Sequence, residues 1–199
     1  MSVSAHKLGG PQGVGALVVR EGTSLRPQLL GGGQERERRS GTHNVAGIAG
    51  FAAALAATVA EREATVARVL RLRDLLADGL LAGVPDTRET GRRADKVAGS
   101  CHLLFDGVES EALLVLLDQQ GVCATAASSC ASGALEPSHV LAAMGVSRAD
   151  AKGSLRLSLG ATTTGADVDH ALAVLPAAVA RLRERDPLVS RLAPVGGAT

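Results

Sequence analysis

The segment Ser154-Leu155-Arg156-Leu157-Ser158-Leu159 carries the clearest secondary-structure signal in this chain. Leucine alternates with polar residues, which is the pattern of a β-strand with one buried face. If the leucines face inward, Arg156 shares the opposite face with Ser154 and Ser158. A guanidinium there can bind a carboxylate through two parallel hydrogen bonds, and an ordinary surface arginine on a half-exposed sheet explains the same pattern. The segment therefore predicts a strand and a candidate carboxylate site.

Helical and extended patterns alternate on both sides of this strand. Apolar residues recur at three- or four-residue steps from Asn44 to about Ala82, which predicts one long helix followed by a polar connector over residues 87–96. The other predicted elements are strands over 15–20 (buried), 100–105 and 122–125, and helices over 109–120, 138–144 and 167–185. This order of elements is typical of an α/β or α+β chain.

The composition excludes several classes of function. The chain has 199 residues, of which 46% are hydrophobic and 21% charged, and its net charge is +1. That balance argues against a nucleic-acid or anionic-membrane surface. With two phenylalanines and neither tryptophan nor tyrosine, it has no base-stacking platform. No run reaches the ~18 apolar residues of a membrane span, and the alanine-rich stretch from Val45 to Ala60 suits a packed helix.

Three cysteines without a Cys-x-x-Cys pair predict no disulfide framework, and the N-terminus lacks a signal-peptide pattern, so we expect a cytoplasmic protein. Cys101 and Cys123 fall in strand patterns and are expected to be buried structural thiols. Cys130 lies among small polar residues over 126–136, which predicts a mobile loop with an accessible thiol. The histidines have no metal-like spacing with acids or cysteines, so no metal site is predicted.

Two further segments contain candidate functional residues. Lys7 precedes a glycine-rich turn, and a lysine of lowered pKa can form a Schiff base. On an extended segment, Ser4 and His6 would share one face and could hold a phosphate while Lys7 takes the other face. A solvated lysine explains the same sequence. The arginine-rich loop over residues 31–42 also permits a phosphate contact, for example at Thr42, but it lacks a P-loop ending and is equally typical of a charged surface turn.

Six blocks in order resemble a known family. They are Ser-Ala-His-Lys (4–7), Gly-Pro-Gln-Gly-Val-Gly-Ala-Leu (10–17), Gly-Gly-Gly-Gln-Glu-Arg (31–36) with Arg-Ser-Gly-Thr (39–42), Ser-Ser-Cys-Ala-Ser-Gly (128–133), Glu-Pro-Ser-His-Val-Leu (136–141) and Gly-Ser-Leu-Arg-Leu-Ser-Leu-Gly (153–160). Together they resemble the C-terminal half of a cysteine desulfurase of the NifS/IscS type, in the class V aminotransferase family. The resemblance extends to about residue 185.

The resemblance implies an α/β fold, the C-terminal part of a fold type I pyridoxal-phosphate transferase. Residues 1–61 would be a remnant of the large cofactor-binding domain with the start of a long connecting helix. Residues 62–199 would be a small α+β domain whose catalytic-cysteine loop spans about 125–136. The family also implies a homodimer.

The site roles likewise come from the resemblance. Lys7 would carry pyridoxal 5'-phosphate as a Schiff base, Ser4 and His6 would contact its phosphate, and Thr42 would reach the phosphate across the dimer interface. The residues that the family implies lie in the two segments, residues 4–7 and 31–42, in which the sequence patterns also indicate candidate functional residues.

The remaining roles concern the substrate. Arg156 would bind the carboxylate of L-cysteine, and Cys130 would take its sulfur as a persulfide, leaving L-alanine. The sulfur would pass to an acceptor protein, either an iron–sulfur scaffold or a tRNA-thiolation protein. Physically, the cofactor ring serves as an electron sink and the protein supplies orientation and the nucleophile.

The chain departs from the family pattern in three respects. Ala127 and Glu37 stand where glycine is common. Family members are about twice as long, and the ring-stacking histidine and the aspartate beside the pyridine nitrogen have no counterpart here. A catalytically inactive fragment is therefore an alternative, as is another class V aminotransferase or a selenocysteine lyase.

Overall fold

The structure, a computed structural model, describes residues 1–126 and 138–185. They belong to two compact units, Met1–Ala64 and Thr65–Thr199. The long predicted helix is present as α1 (Val45–Gly83), and it contributes residues to both units.

The first unit contains a small hairpin that packs on α1. Strand β1 (Ser2–Ser4) pairs antiparallel with β2 (Gly15–Leu17), and a 3-10 turn over Ala5–Leu8 follows β1. A Cβ at Gly10 would lie 3.2 Å from the Cβ of Ala54, so glycine permits the close approach of turn and helix. Strand β2 is shorter than predicted and exposed along its length, because no third strand covers it within the described residues.

The glycine- and arginine-rich loop of this unit contains a left-handed turn. Glu35, Arg36 and Glu37 have φ values of 53°, 58° and 63°. The Ser40 hydroxyl donates to the carbonyl of Gly32 at 2.6 Å and holds the turn closed. L-residues adopt this conformation at a cost of roughly 1–2 kcal/mol each. The φ of Glu37 therefore explains why glycine suits that position.

The second unit is built on a three-stranded antiparallel sheet in the order β3-β4-β5. Strands β4 (Ser100–Phe105) and β5 (Ser154–Ser158) confirm two predicted strands. Strand β3 (Thr87–Glu89) lies in the predicted connector, so that prediction was wrong in part. Its polar residues gave no alternation, and pairing with Leu103–Phe105 of β4 makes the segment a strand.

Four shorter α-helices complete the described part of the unit. They are α2 (Ser110–Asp118), α3 (His139–Ala143), α4 (Arg148–Ala151) and α5 (Gly165–Arg185). The strand predicted over residues 122–125 is not formed, because only Thr125 pairs, through an isolated bridge to Arg156. Cys101 is fully buried, as predicted, whereas Cys123 is exposed and the prediction of a buried thiol was wrong.

The core of the second unit lies between the sheet and helices α1, α2 and α5. Its leucine side chains come from every layer: Leu76, Leu80, Leu103, Leu113, Leu155 and Leu175. Arg183 of α5 links two turns by donating from Nη1 to the carbonyl of Pro85, between α1 and β3, and from Nε to the carbonyl of Asp106, after β4, both at 2.9 Å. Burial of the leucines on the inner side of β5 leaves Arg156 on the other side.

The first half of α1 is apolar and exposed. Ile48, Leu55 and Val59 are each more than two-fifths exposed, so the packing expected for residues 45–60 is not found within the described residues. The helix includes an 18-residue window of mean hydropathy 1.4, of which 6% is buried. It is therefore long and apolar enough to cross a membrane by length and composition alone. Core helices of soluble proteins also meet these criteria, so this observation is weak.

Replacing Glu37 by glycine tests the left-handed conformation of the loop over residues 35–37. We expect Glu37→Gly to stabilise the loop by about 0.5–1 kcal/mol, because glycine adopts positive φ freely but loses more chain entropy on folding. The Ser40 amide, which donates to the Leu29 carbonyl at 3.2 Å, reports on the loop. Its hydrogen exchange should slow about two- to fivefold.

The matched control is the neighbouring Arg38, whose φ of −87° lies in the right-handed region. Glycine there gains nothing from positive φ, so Arg38→Gly should speed exchange of the Ser40 amide. Equal effects of the two substitutions would contradict a left-handed turn at Glu37.

Candidate active site

The turn that contains Lys7 differs from its predicted geometry. Ser4 is the last extended residue, with φ −107° and ψ 128°, and the 3-10 turn begins directly after it. Residues three apart are aligned in such a turn, so Lys7 returns toward Ser4 and the predicted pairing of Ser4 with His6 on one extended face was wrong. The cause is a backbone hydrogen bond of 2.9 Å from the Gly10 amide to the carbonyl of buried Ala5.

Among the three lysines of the chain, Lys7 has the most available amine. Lys96 donates to Glu89 at 2.7 Å, and Lys152 lies 3.4 Å from Glu109. Lys7 is exposed and has no ion pair within the described residues. Among the described residues, no carboxylate therefore competes with a carbonyl compound for the amine of Lys7.

Thr42 follows the left-handed turn and is exposed. The preceding Gly41 has φ 112°, and its amide donates to the side-chain oxygen of Gln34 at 3.1 Å. Within the described residues, no hydrogen bond joins Thr42 to Ser4, His6 or Lys7. The structure therefore does not bring the four predicted cofactor ligands into one hydrogen-bonded group.

In the second unit, a cavity of about 460 Å³ opens beside Arg156. Arg156 on β5 lies directly opposite His102 on β4 in the antiparallel ladder. The Nε atom of Arg156 is buried and has no hydrogen-bond partner among the described residues. The cavity is also lined by residues from the loop after β3, from β4 and from α3 with its flanking residues, namely Thr90, Arg92, Asp95, Lys96, Ser100, Ser138, Val140, Leu141 and Met144.

His102 is held in a positive environment. Its Nδ1 and the Thr90 hydroxyl share a hydrogen bond of 2.9 Å. Burial lowers the pKa of His102, and the nearby charges of Lys96 and Arg156 lower it further. Both causes favour the neutral imidazole. The cavity is therefore lined by three cations, of which Arg92 is paired with Asp95, and by one histidine that its surroundings keep uncharged.

A charged network fixes Lys96 at this cavity. Glu89 accepts hydrogen bonds of 2.7 Å from both Lys96 and Arg93, and Arg93 also donates to Asp78 at 2.6 Å. Burial alone would raise the pKa of Glu89, but the hydrogen bonds from Lys96 and Arg93 bring it below its ordinary value. Glu89 is therefore ionised at neutral pH and restrains Lys96.

The residues that flank the Cys130 segment, Thr125 before it and Ser138 after it, both lie near Arg156. Thr125 and Arg156 exchange backbone hydrogen bonds of 3.1 and 2.8 Å, and Ser138 lines the Arg156 cavity. Cys130 and Ala127 lie outside the described residues. Sequence reasoning did not find this arrangement, because it depends on an isolated bridge rather than on a strand.

The two described cysteines differ in their surroundings. Burial raises the pKa of Cys101 to about 11, and the charge of Glu89 adds to this effect. A thiol of that pKa is inert as a nucleophile at neutral pH. Cys123 is exposed beside a shallow depression formed by α2 and the residues after it.

His102, Thr90 and Lys96 are the site residues that sequence reasoning missed. Their positions in the chain gave one usable signal. His102 alternates with buried Cys101 and Leu103, so strand periodicity already placed it on the face away from the core. The pairing of β4 with β5, which puts it opposite Arg156, was not available from the pattern.

Comparison with known proteins defines the family. A model of class-V aminotransferases matches residues 1–171. An IscS-like cysteine desulfurase of Mycobacterium tuberculosis is 51% identical over 186 residues, covering 92% of this chain and 47% of that protein. Cysteine desulfurase IscS of Methanosarcina thermophila is 44% identical over 191 residues, covering 96% and 47%.

Solved structures agree with this result. A NifS-like protein superposes with a TM-score of 0.79 at 33% identity, and the match covers 90% of this chain and 46% of the NifS-like chain. A NifS-like protein from Rickettsia africae gives a TM-score of 0.79 at 29% identity, covering 89% and 46%.

The fold is thus that of the NifS-like pyridoxal-phosphate enzymes, and the predicted fold class is confirmed. This chain belongs to the class-V aminotransferase family. The relatives named above are cysteine desulfurases, which confirms the resemblance seen in the six sequence blocks. The chain spans about half the length of the curated relatives it matches.

The surroundings of His102 predict a pH-dependent stability. The unfolded chain binds a proton on this ring near the ordinary pKa of 6.5, whereas the folded chain resists protonation to lower pH. Stability due to the neutral ring is therefore lost as pH falls below 6.5. We expect the free energy of unfolding, measured by urea denaturation with circular dichroism, to decrease between about pH 7.5 and pH 5.5.

His102→Asn should remove that part of the pH dependence. The baseline is the difference in free energy of unfolding between wild type and variant at high pH, where His102 is neutral in both the folded and the unfolded chain. An unchanged slope in the variant would show that His102 is not the group responsible.

Proposed function

We propose that the complete protein is a pyridoxal-phosphate-dependent cysteine desulfurase that converts L-cysteine to L-alanine and transfers the sulfur as a persulfide on Cys130. The supporting observation is the buried Nε of Arg156, which has no hydrogen-bond partner among the described residues, in a cavity that Lys96 also lines. The attachment of the Cys130 segment beside that cavity supports the same function. The relatives that bear this activity in their names are 51% and 44% identical to this chain over an aligned region that covers 47% of each of them.

The donor types of the first unit fit pyridoxal 5'-phosphate. Lys7 offers an unpaired amine for covalent attachment, and Ser4, His6 and Thr42 offer hydroxyl and imidazole groups for a phosphate. When bound, the cofactor supplies an electron sink that weakens bonds of the amino-acid substrate. In this proposal, the amine of Lys7 also carries protons to and from the substrate carbon.

Arg156 would orient the substrate by its carboxylate. Its buried Nε–H has no partner among the described residues, so a carboxylate would satisfy a donor that is otherwise costly to bury. A guanidinium also binds a carboxylate in a fixed plane, which a lysine does not. This contact would set the direction of the side-chain sulfur relative to Cys130.

Cys130 would be the sulfur acceptor. It lies five residues beyond Thr125, so a fully extended chain would carry it at most about 18 Å from the Arg156 bridge. Its thiolate attacks the substrate sulfur and forms a sulfur–sulfur bond. The carbon–sulfur bond breaks with its electron pair on carbon, a proton completes L-alanine, and the persulfide remains on Cys130.

The remaining parts of the proposal concern the whole protein. The family suggests a homodimer in the cytoplasm, a domain division near residue 61, and transfer of sulfur to an iron–sulfur scaffold or a tRNA-thiolation protein. The family also assigns Thr42 to the cofactor of the opposite subunit. This assignment accords with the lack of a described hydrogen bond between Thr42 and the Lys7 turn of its own chain.

Covalent labelling tests the cofactor site. The chain is incubated with pyridoxal phosphate, reduced with borohydride and mapped by mass spectrometry. We expect the label mainly on Lys7, because Lys96 and Lys152 are engaged by carboxylates. Lys7→Ala should remove most of the label and Lys152→Ala should retain it. Equal labelling of all three lysines would contradict a cofactor site at Lys7.

Substitution of Cys130, with Cys123 as the control, tests the sulfur step. In the desulfurase assay, Cys130→Ser should abolish the protein persulfide and lower alanine formation by a factor of about 100 or more, since a serine hydroxyl is a poor nucleophile for sulfur. Pyridoxal phosphate labelling should be unchanged. The exposed Cys123 provides the control, and Cys123→Ser should leave persulfide formation intact. Persulfide that persists in Cys130→Ser would refute the assignment.

A further inference from the structure

The cavity beside Arg156 contains a titratable group that the family assignment does not use. His102 lies opposite Arg156 in the β4–β5 ladder, and facing residues in such a ladder have Cβ atoms about 4.5–5.5 Å apart. Both side chains line the same cavity. A ligand held by the guanidinium of Arg156 is therefore within reach of the imidazole.

The hydrogen bond with Thr90 leaves one ring nitrogen of His102 for such a ligand. Nδ1 lies 2.9 Å from the Thr90 hydroxyl. A protonated ring donates from both nitrogens, and the hydroxyl oxygen can accept the Nδ1 proton. Nε2–H then remains as a second donor beside Arg156, with its orientation fixed by Thr90.

The charged groups around His102 determine when that donor is present. Lys96, from the loop before β4, and Arg156, from β5, face the ring as cations. Glu89 is engaged by Lys96 and Arg93, and Asp95 by Arg92 at 2.7 Å. No carboxylate among the described residues pairs with His102. An anion bound at Arg156 would supply the missing negative charge.

We propose that His102 is a second binding group for the substrate carboxylate, taking up a proton when the carboxylate binds at Arg156. This inference rests on the proposed function, because it identifies the anion as the carboxylate of the amino-acid substrate. Binding and protonation are linked reciprocally, so the carboxylate binds more tightly as pH falls. His102 would thus help to position the carboxylate and make its affinity depend on pH. A pocket with arginine alone would lack this pH dependence.

Nuclear magnetic resonance of the histidine rings tests the linkage without requiring turnover. The chain, labelled with ¹⁵N in histidine, is titrated with acid in the presence of propionate or of the neutral isostere propionamide at equal ionic strength. Propionate should move the titration midpoint of His102 upward by about one pH unit, as expected for an opposite charge at close range. Propionate binding should correspondingly be about tenfold tighter when His102 is protonated.

Variants and a second anion sharpen the test. The signal of His102 is assigned with His102→Asn, and the exposed His170 on α5 serves as an internal reference that propionate should not affect. Arg156→Gln should abolish the effect of propionate on His102. Inorganic phosphate should give a smaller shift than propionate, since the proposed ligand is a carboxylate. An equal or larger phosphate shift would overturn the assignment to substrate carboxylate.

The two proposals fail in different ways. A His102 midpoint that ignores propionate, or responds equally in Arg156→Gln, would overturn the carboxylate role of His102 even if desulfurase activity is found. A His102 midpoint that responds as expected, together with no alanine or persulfide formed by the complete protein, would overturn the desulfurase proposal alone. If Arg156→Gln unfolds, Arg156→Lys should keep the fold and weaken the propionate effect, because lysine lacks the paired donors of a guanidinium.

Discussion

The pairing of β4 with β5 is the constraint on which the second unit depends. One ladder buries leucines on the core side and aligns His102 with Arg156 on the other side. Burial of Leu103, Leu155 and Leu157 fixes the register, because a slip by one residue would exchange the two faces. The electrostatic character of the cavity thus follows from packing on the opposite side of the same sheet.

The charged network at β3 complements this constraint. Glu89 satisfies Lys96 and Arg93, and Asp95 satisfies Arg92, so the local carboxylates are already engaged. Arg156 is left with a buried donor that the described part of the chain does not satisfy. A site with surplus positive charge and an open hydrogen bond favours an anionic ligand. The packing and ion pairs that stabilise the second unit therefore leave the Arg156 Nε–H without a partner among the described residues.

Sequence reasoning succeeded where periodicity is strong and failed where structure depends on long-range pairing. Helix α1 and strands β4 and β5 follow from alternating or helical apolar patterns, and the order of short motifs identified the family. The exposed Cys123 was missed because its neighbours suggest a strand that has no partner except at Thr125. His102 was missed as a site residue because its importance comes from Arg156, which is 54 positions away in sequence. The turn at Lys7 was misjudged because β1 ends at Ser4, and backbone hydrogen bonds from the amides of Gly9 and Gly10 close a 3-10 turn where an extended segment was expected.

The bridge between Thr125 and Arg156 has a consequence for variation within the family. The peptide groups of the residue that carries the guanidinium also anchor the start of the cysteine-bearing segment. Insertions or deletions beyond Thr125 would change the length of chain between this anchor and Cys130 without changing the position of Arg156 on β5. Relatives whose cysteine segments differ in length can therefore share the same anchor.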